Sequence, residues 1–295
     1  MANTQRIERA DYLSKKGRVM LMISRIFVYL ILFFLAFLCL FFFYLLIVNS
    51  TRSHAQLNEG FSLIPRGNFL KNLKSAWTDG TVNIPRGMLN SFIIAISSSV
   101  LATYFSALTA FGIHCYDFRF KKAAFTFILA IMMIPSQISV VGFIKMCNTF
   151  GLTNNYLPLI LPSIASPVVF FYMKQYMESI LPLEIVEAAR VDGVSEFYTF
   201  NRIVIPIMMP AIAVQMIFSF VASWNNFFLP GMLIDKPERK TVPIMIAALR
   251  SADYKKFDMG EIYMLILLSI IPVVIVYIFI SKFIIKGVAA GSVKG

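Results

Sequence analysis

The sequence predicts an all-α polytopic membrane protein of six transmembrane helices, with a cytoplasmic helix–turn–helix loop between the fourth and the fifth. Three observations predict it. Hydrophobic residues fill 58% of the 295 positions and charged residues only 14%, with a mean hydropathy of +0.75, whereas a soluble domain is about a quarter charged. Six apolar runs, at 26–48, 88–113, 123–144, 157–173, 207–234 and 262–281, contain no Asp, Glu, Lys, Arg or His. Five of them hold about the 20 residues that a helix needs to cross a bilayer, and the fourth is at the short limit. Finally, the segment 178–206 carries five acids and two cations in a chain of net charge +12, so it belongs in water.

The elements follow in order. Residues 1–25 form an N-terminal segment with Arg6, Arg9, Lys15, Lys16, Arg18 and Arg25. The run 26–48 is longer than the apolar region of a cleaved signal peptide and has no small-residue cleavage site, so it reads as an uncleaved span. In the second run Ser99, Thr103, Ser106 and Ala110 make a small-residue stripe suited to helix packing. The fourth is short and holds Pro158, Pro162 and Pro167, which predicts an irregular start whose backbone groups are satisfied by neighbouring protein. Six spans place both termini on one side. The basic cluster before the first span and the Arg119/Lys121/Lys122 loop put that side in the cytoplasm. Residues 26–285 then form one six-span domain, and 286–295 a cytoplasmic tail.

Several function classes are excluded. The pI of about 9.7 does not indicate nucleic acid, because the cations lie between apolar runs, where they set topology and meet lipid headgroups. Cys39, Cys115 and Cys147 read as small apolar side chains. Neither they nor His54 and His114 have metal-ligand spacing, so no metal site is expected. No GxxxxGK[ST], GxSxG or HExxH occurs, so the chain lacks a nucleotide cradle and a hydrolytic centre. Proton-driven carriers commonly need an ionisable group inside the membrane, and these runs have none. A pump built on this chain must draw its energy from another chain.

The loop 178–206 carries the most specific information. Pro182 suits the first turn of a helix, and Glu184 and Glu187 favour its positive end. Gly193 can end that helix with a positive φ. Ser195 can cap a second short helix, which Pro206 is expected to stop before the fifth span. The spacing Glu187-Ala188-Ala189, then Gly193, then Ile203-Val204-Ile205-Pro206 resembles the EAA–x3–G–x9–I–x–LP signature of ABC importer permeases, with Ile205 in place of Leu.

The resemblance covers roughly residues 20–295. The stretch from Pro135 through 151–161 and the Ser223-Trp224-Asn225-Asn226-Phe227 run look like carbohydrate-uptake permeases. The end, 287–295, is similar to the tail of the second permease subunit of maltose-type importers, departing at Val288, Ala289 and Ser292. The resemblance implies a non-catalytic subunit of the bacterial inner membrane. It would work with a second homologous permease, an ATPase dimer that binds ATP and Mg, and an extracytoplasmic solute-binding protein. This chain itself would bind no cofactor. Glu187, Ala188, Ala189, Asp192 and Gly193 would dock on the ATPase, with the alanines small enough to seat the helix deeply. Gly291, Val293, Lys294 and Gly295 would reach between the two ATPases. The solute would be a carbohydrate, an oligosaccharide within that class. A permease for another solute and a secondary carrier are the alternatives.

In the fifth run Gln215, Ser219, Ser223 and Asn226 fall on one helical face, flanked by Trp224 and Asn225. Amides, hydroxyls and an indole suit a sugar, and Gln137 is a further candidate. The same residue types also bond helix to helix inside a bundle. Both readings are open at this level.

Overall fold

A computed structural model describes the backbone of residues 2–78, 83–251 and 258–292. Side chains are described for these residues except 2–16, 18, 136–137, 250–251 and 285–292. All regular structure among the described residues is helical. The chain runs α1 (Ala2–Ser50), α2 (His54–Asn58), α3 (Phe69–Thr78), α4 (Ile84–Cys115), α5 (Lys121–Met132), α6 (Ser136–Thr149) and α7 (Leu157–Ile160). A 3-10 turn, Leu161–Ile164, precedes α8 (Pro167–Ile180), α9 (Leu183–Val191) and α10 (Glu196–Tyr198). A π-helical segment, Thr199–Val204, leads into α11 (Ile205–Trp224), followed by α12 (Phe228–Leu233), α13 (Val242–Ser251) and α14 (Met259–Ser292).

Five helical stretches among the described residues are long and apolar enough to cross a membrane: Val19–Ser50, Ile84–Cys115, Leu157–Ile180, Glu196–Trp224 and Met259–Ile284. The third expected span is not one helix. After α5, Met133 and Ile134 donate to Ala130 and Ile131, three residues back, and Pro135 has no N–H to continue the ladder. The resulting helices of 12 and 14 residues rise about 18 and 21 Å, each short of a hydrocarbon core of ~30 Å. Only the two together have the length of a crossing.

The fourth span starts irregularly, as its prolines require, and continues past 173 to Ile180. The freed carbonyls find hydroxyls: Ser98 Oγ donates to Leu159 O and Ser106 Oγ to Ser166 O, both at 3.4 Å. Helix α4 is the central post. Its Ser99, Thr103, Ser106 and Ala110 are all buried, and small side chains there let α8 and α11 approach closely.

Two boundaries of the fifth span differ from expectation. It does not begin after a stop at Pro206, because the helix runs continuously from Glu196. The π-helical turns take up the irregularity just before that proline, and Ile205 N–H reaches back five residues to Phe200 O. It also ends at Trp224, not 234, and Pro230 lies in the separate short helix α12.

Three apolar clusters hold the bundle. The largest joins α4, α8, α9 and α11 through Phe111, Phe170, Met173, Met177, Val186, Phe200 and Met208. A second joins α3, α4, α13 and α14 through Ala76, Ile84, Met245 and Leu265. A smaller one stacks Phe220 and Trp224 on Ala95. Much of α1 is exposed, with Phe33, Phe34, Phe42 and Phe43 among its outward side chains.

Candidate functional site

The segment between α8 and α11 folds back on the bundle before entering α11. Pro182 precedes the first turn of α9, and Glu184 lies in that turn, where the helix dipole favours a carboxylate. Val186 and Ala189, three residues apart, turn inward and are buried, while Glu187, Ala188, Val191 and Asp192 are exposed. The two alanines therefore have different neighbours. Ala189 lets α9 sit close to this chain's own bundle, whereas Ala188 presents a small side chain outward. Of the two alanines expected to seat the helix on a partner, Ala188 is exposed and Ala189 is buried in this chain.

Gly193 ends α9 with φ +75°. Val194 N–H donates to Ala189 O and Gly193 N–H to Arg190 O, both at 3.0 Å, the paired pattern of a left-handed helix terminus. A Cβ at Gly193 would meet no atom within 4 Å, so the backbone angle alone calls for glycine. Ser195 caps the next helix, its Oγ accepting from Tyr198 N–H at 3.4 Å.

The turn is tied on both sides. Arg190 Nε lies 2.6 Å from Glu196 Oε1 across Gly193. The same guanidinium sits 4.9 Å from the centre of the Tyr116 ring, just beyond the end of α4. The Glu196 carboxylate beside it raises Arg190 further above its usual range, so this cation stays charged. Leu181 O, before α9, is 3.1 Å from His114 Nε2. Further along, Asn201 Nδ2 donates to Phe197 O at 2.8 Å, and Tyr104 OH donates to Asn201 Oδ1 at 3.2 Å. This supports the π-helical turn against α4. The segment contains no reacting group assembled for chemistry. It is an exposed helical ridge joined through the Gly193 turn to a 29-residue helix that starts at Glu196.

The sequence reading missed Arg190, Glu196, Tyr116 and Asn201 as the ties of this turn. The available signal was opposite charges flanking Gly193. It also missed Asn154, which adopts φ +55° and whose Oδ1 accepts from the N–H groups of Asp235 and Lys236, both at 2.8 Å. Asn90 Nδ2 donates to Glu238 O and Lys240 O, both at 3.0 Å. Together they clamp the loop before α13 at the opposite end of α4.

The other sequence candidates are dispersed. Gln215 is buried and Ser219 and Ser223 are half-buried on α11, whereas Asn225 and Asn226 are exposed beyond its end, so the stripe does not continue on one helix to Asn226. Trp224 is a packing residue here. Its Nε1 donates to Ser269 O at 3.1 Å, and its ring stacks on Phe220 at 5.7 Å. A cavity of about 360 Å³ lies between α4, α5 and α8 and is lined by Ser106, Thr109, Ile131 and Ser166 among others, with none of the α11 stripe in its wall. The backbone of Gln137 lies in the first turn of α6, and its side chain is outside the described residues. Gly291 is in the last turn of α14, while Val293, Lys294 and Gly295 lie outside the described residues.

Residues 102–289 match the family described as "Binding-protein-dependent transport system inner membrane component". The chain is 34% identical over 209 residues to the arabinooligosaccharides transport system permease protein AraQ of Bacillus subtilis, covering 70% of this chain and 72% of that one. It is 27% identical to the lactose transport system permease protein LacG of Rhizobium radiobacter, over 90% and 95% of the two chains. Similarity to the trehalose/maltose transport system permease protein MalG of Thermococcus litoralis is 29%, over 88% and 94%. In structure it resembles a chain of a bacterial ABC transporter that imports alginate, with a TM-score of 0.75 and 20% identity over 88% of this chain and 96% of that one; this likeness speaks for the fold. With the family match spanning well over half of its length, the chain is a member of the binding-protein-dependent transport system inner membrane component family.

Proposed function

We propose that this chain is one permease half of an ATP-driven ABC importer for a carbohydrate, an oligosaccharide within that class. It sits in the bacterial inner membrane as a multi-pass subunit with both termini in the cytoplasm, and α5 with α6 supplies the crossing that no single helix makes. A second homologous permease completes the pathway, an extracytoplasmic binding protein delivers the solute, and an ATPase dimer binds ATP and Mg and hydrolyses the nucleotide. The relatives named for arabinooligosaccharides, lactose and trehalose/maltose support the solute class.

The observation that carries the coupling part of this reading is the ridge of Glu187, Ala188 and Asp192, held outward by a buried Val186/Ala189 face and a glycine turn. Such a ridge fits a cleft on a soluble partner: a carboxylate for a basic group, and a small side chain for close approach. Movement of the ATPase subunits against α9 would pass through the Arg190–Glu196 pair into α10 and the π-helical turn, and so tilt α11. The tail from Gly291 to Gly295, with Val293 and Lys294, is a second ATPase contact in this reading. For the solute, Gln215, Ser219, Ser223, Asn225, Asn226 and Gln137 remain route candidates, and Trp224 serves by packing α11 against α14.

The test is reconstitution of this chain with its partner permease, ATPase and binding protein in liposomes, offered a panel of labelled oligosaccharides. ATP-dependent accumulation of at least one of them is expected. Substantial ATP hydrolysis by the purified chain alone, or accumulation that persists without the ATPase subunits, would overturn the assignment.

A further inference from the structure

The segment between α1 and α4 has an outward face that neither the coupling ridge nor the solute route uses. Its location is fixed by bonds to α1 and to Thr51 just after it. Tyr44 OH donates to Leu63 O at 2.6 Å, Arg66 N–H donates to Thr51 Oγ1 at 2.8 Å, and Asn68 N–H donates to Thr51 O at 3.0 Å. Tyr44 lies six residues before the end of α1, about 9 Å along the helix axis. The loop therefore doubles back beside the apolar, exposed flank of α1, where Phe42, Phe43 and Ile47 face outward. Phe61 and Ile64 in this loop are exposed at 73% and 65%.

Helix α3 continues the same surface. At about 100° per residue, Ala76, Phe69, Leu73, Trp77 and Leu70 occupy one continuous apolar sector, and Lys74, Thr78 and Lys71 the next. The protein uses only part of the apolar sector. Ala76 and Leu73 pack on the cluster with α14, and Asn72 Nδ2 beside them donates to Ser50 O and Arg52 O. Ser75 Oγ donates to Glu261 Oε2 at 3.3 Å. Rotation of α3 about its axis is thereby fixed, and it leaves Leu70 and Trp77 exposed at 75% and 47% beside Lys71 and Lys74.

We propose that loop 59–68 and α3 form an interfacial anchor in the leaflet opposite the coupling ridge. Phe61, Ile64, Leu70 and Trp77 lie at the headgroup–acyl boundary, and Lys71 and Lys74 face lipid phosphates. Three features favour lipid over a protein partner. The patch is continuous with the lipid-facing flank of α1 through the Tyr44–Leu63 bond. Its apolar and cationic sectors adjoin, as in helices that lie in a membrane interface. Its exposed aromatics include Trp77, and the loop is tied to α1 by Tyr44; tryptophan and tyrosine are the aromatics that enrich such boundaries. The anchor would hold the ends of α1 and α14 at a fixed depth while other helices tilt. It rests on the membrane reading alone and not on the identity of the solute.

Trp77 is one of only two tryptophans in the chain, which makes it a native probe. The full chain and its Trp77→Phe variant are placed in phosphatidylcholine/phosphatidylglycerol vesicles whose acyl chains carry bromine at shallow or deep positions, and the difference in their fluorescence is the Trp77 signal. That signal should be quenched at least twofold more by shallow bromines than by deep ones. A second reporter, Leu70→Trp in the Trp77→Phe background, should follow the same depth profile; both sites are exposed, so folding is undisturbed. A Trp77 signal that no bromolipid quenches overturns the proposal, whether it reports water or becomes protected only when the binding protein is added. The last outcome would assign the face to that protein instead.

Discussion

Arg190 and Glu196 meet at 2.6 Å across the Gly193 turn, so a six-residue step in sequence joins α9 directly to the helix that becomes α11. Both side chains remain partly exposed, at 35% and 41%. A pair of this kind contributes about 0.2–1 kcal/mol, too little to decide whether the bundle folds. Its consequence is mechanical. The pair closes the angle between the ridge and the spanning helix, and without it the two are joined by the backbone of a glycine turn and by the apolar cluster that holds Val186 with Phe200 and Met208.

Arg190→Ala should therefore leave insertion and ATPase co-purification near normal and lower the solute moved per ATP hydrolysed several-fold. Glu196→Gln should behave alike. Hydrolysis and uptake measured in the same vesicles test this, and an unchanged ratio in both variants would remove the pair from the coupling path.

Gly193→Val places a β-branched residue at φ +75°. Nothing crowds the new Cβ, so the cost is that of the left-handed backbone, on the order of 1–2 kcal/mol. The bundle should stay folded while the ridge loses its angle, with docking or coupling falling at least tenfold. Gly193→Asn, a residue that tolerates this conformation, should recover most of the loss. ATPase pull-down beside uptake measures both, and an Asn variant as impaired as Val would show that something other than backbone angle is at stake.

Much of this site was legible because helix ends obey local rules. Pro182, Gly193 and Ser195 mark a start, a stop and a cap by their own chemistry, and the structure places them in those roles. The split between Ala188 and Ala189 was not legible, since it depends on which face of α9 meets Phe200 and Met177. The fold divides in the same way. Hydropathy located every apolar run but contains no account of where a helix stops within one. The break at Pro135 is set by a missing N–H, whereas the helix end at Trp224 falls inside an apolar run that hydropathy reads as continuous. Trp224 suits a sugar or a core equally well by its chemistry, and only the structure shows its indole bonded to the Ser269 carbonyl and stacked on the Phe220 ring.

Packing and route roles are separable experimentally at two neighbours. Trp224→Ala removes a buried indole at a cost of about 3–5 kcal/mol, so it should reduce accumulation of the assembled complex. Asn226→Leu, on an exposed residue beyond the helix end, should leave assembly intact and lower uptake if the residue lines the route. Yield of complex and uptake per complex distinguish the effects; normal uptake by Asn226→Leu would take that residue out of the route.

In the proposed assembly the outward face of α9 docks on the ATPase while its inward face belongs to this chain. Single cysteines at adjacent positions test it: Ala188→Cys and Ala189→Cys, each in a background with Cys39, Cys115 and Cys147 replaced by Ala, cross-linked in membranes holding the whole transporter. Strong cross-linking of the exposed position 188 to the ATPase subunit is expected, with at least tenfold less from position 189, which is only 5% exposed. Equal yields from both positions, or no cross-link to the ATPase from 188 in an assembled and active complex, would contradict it.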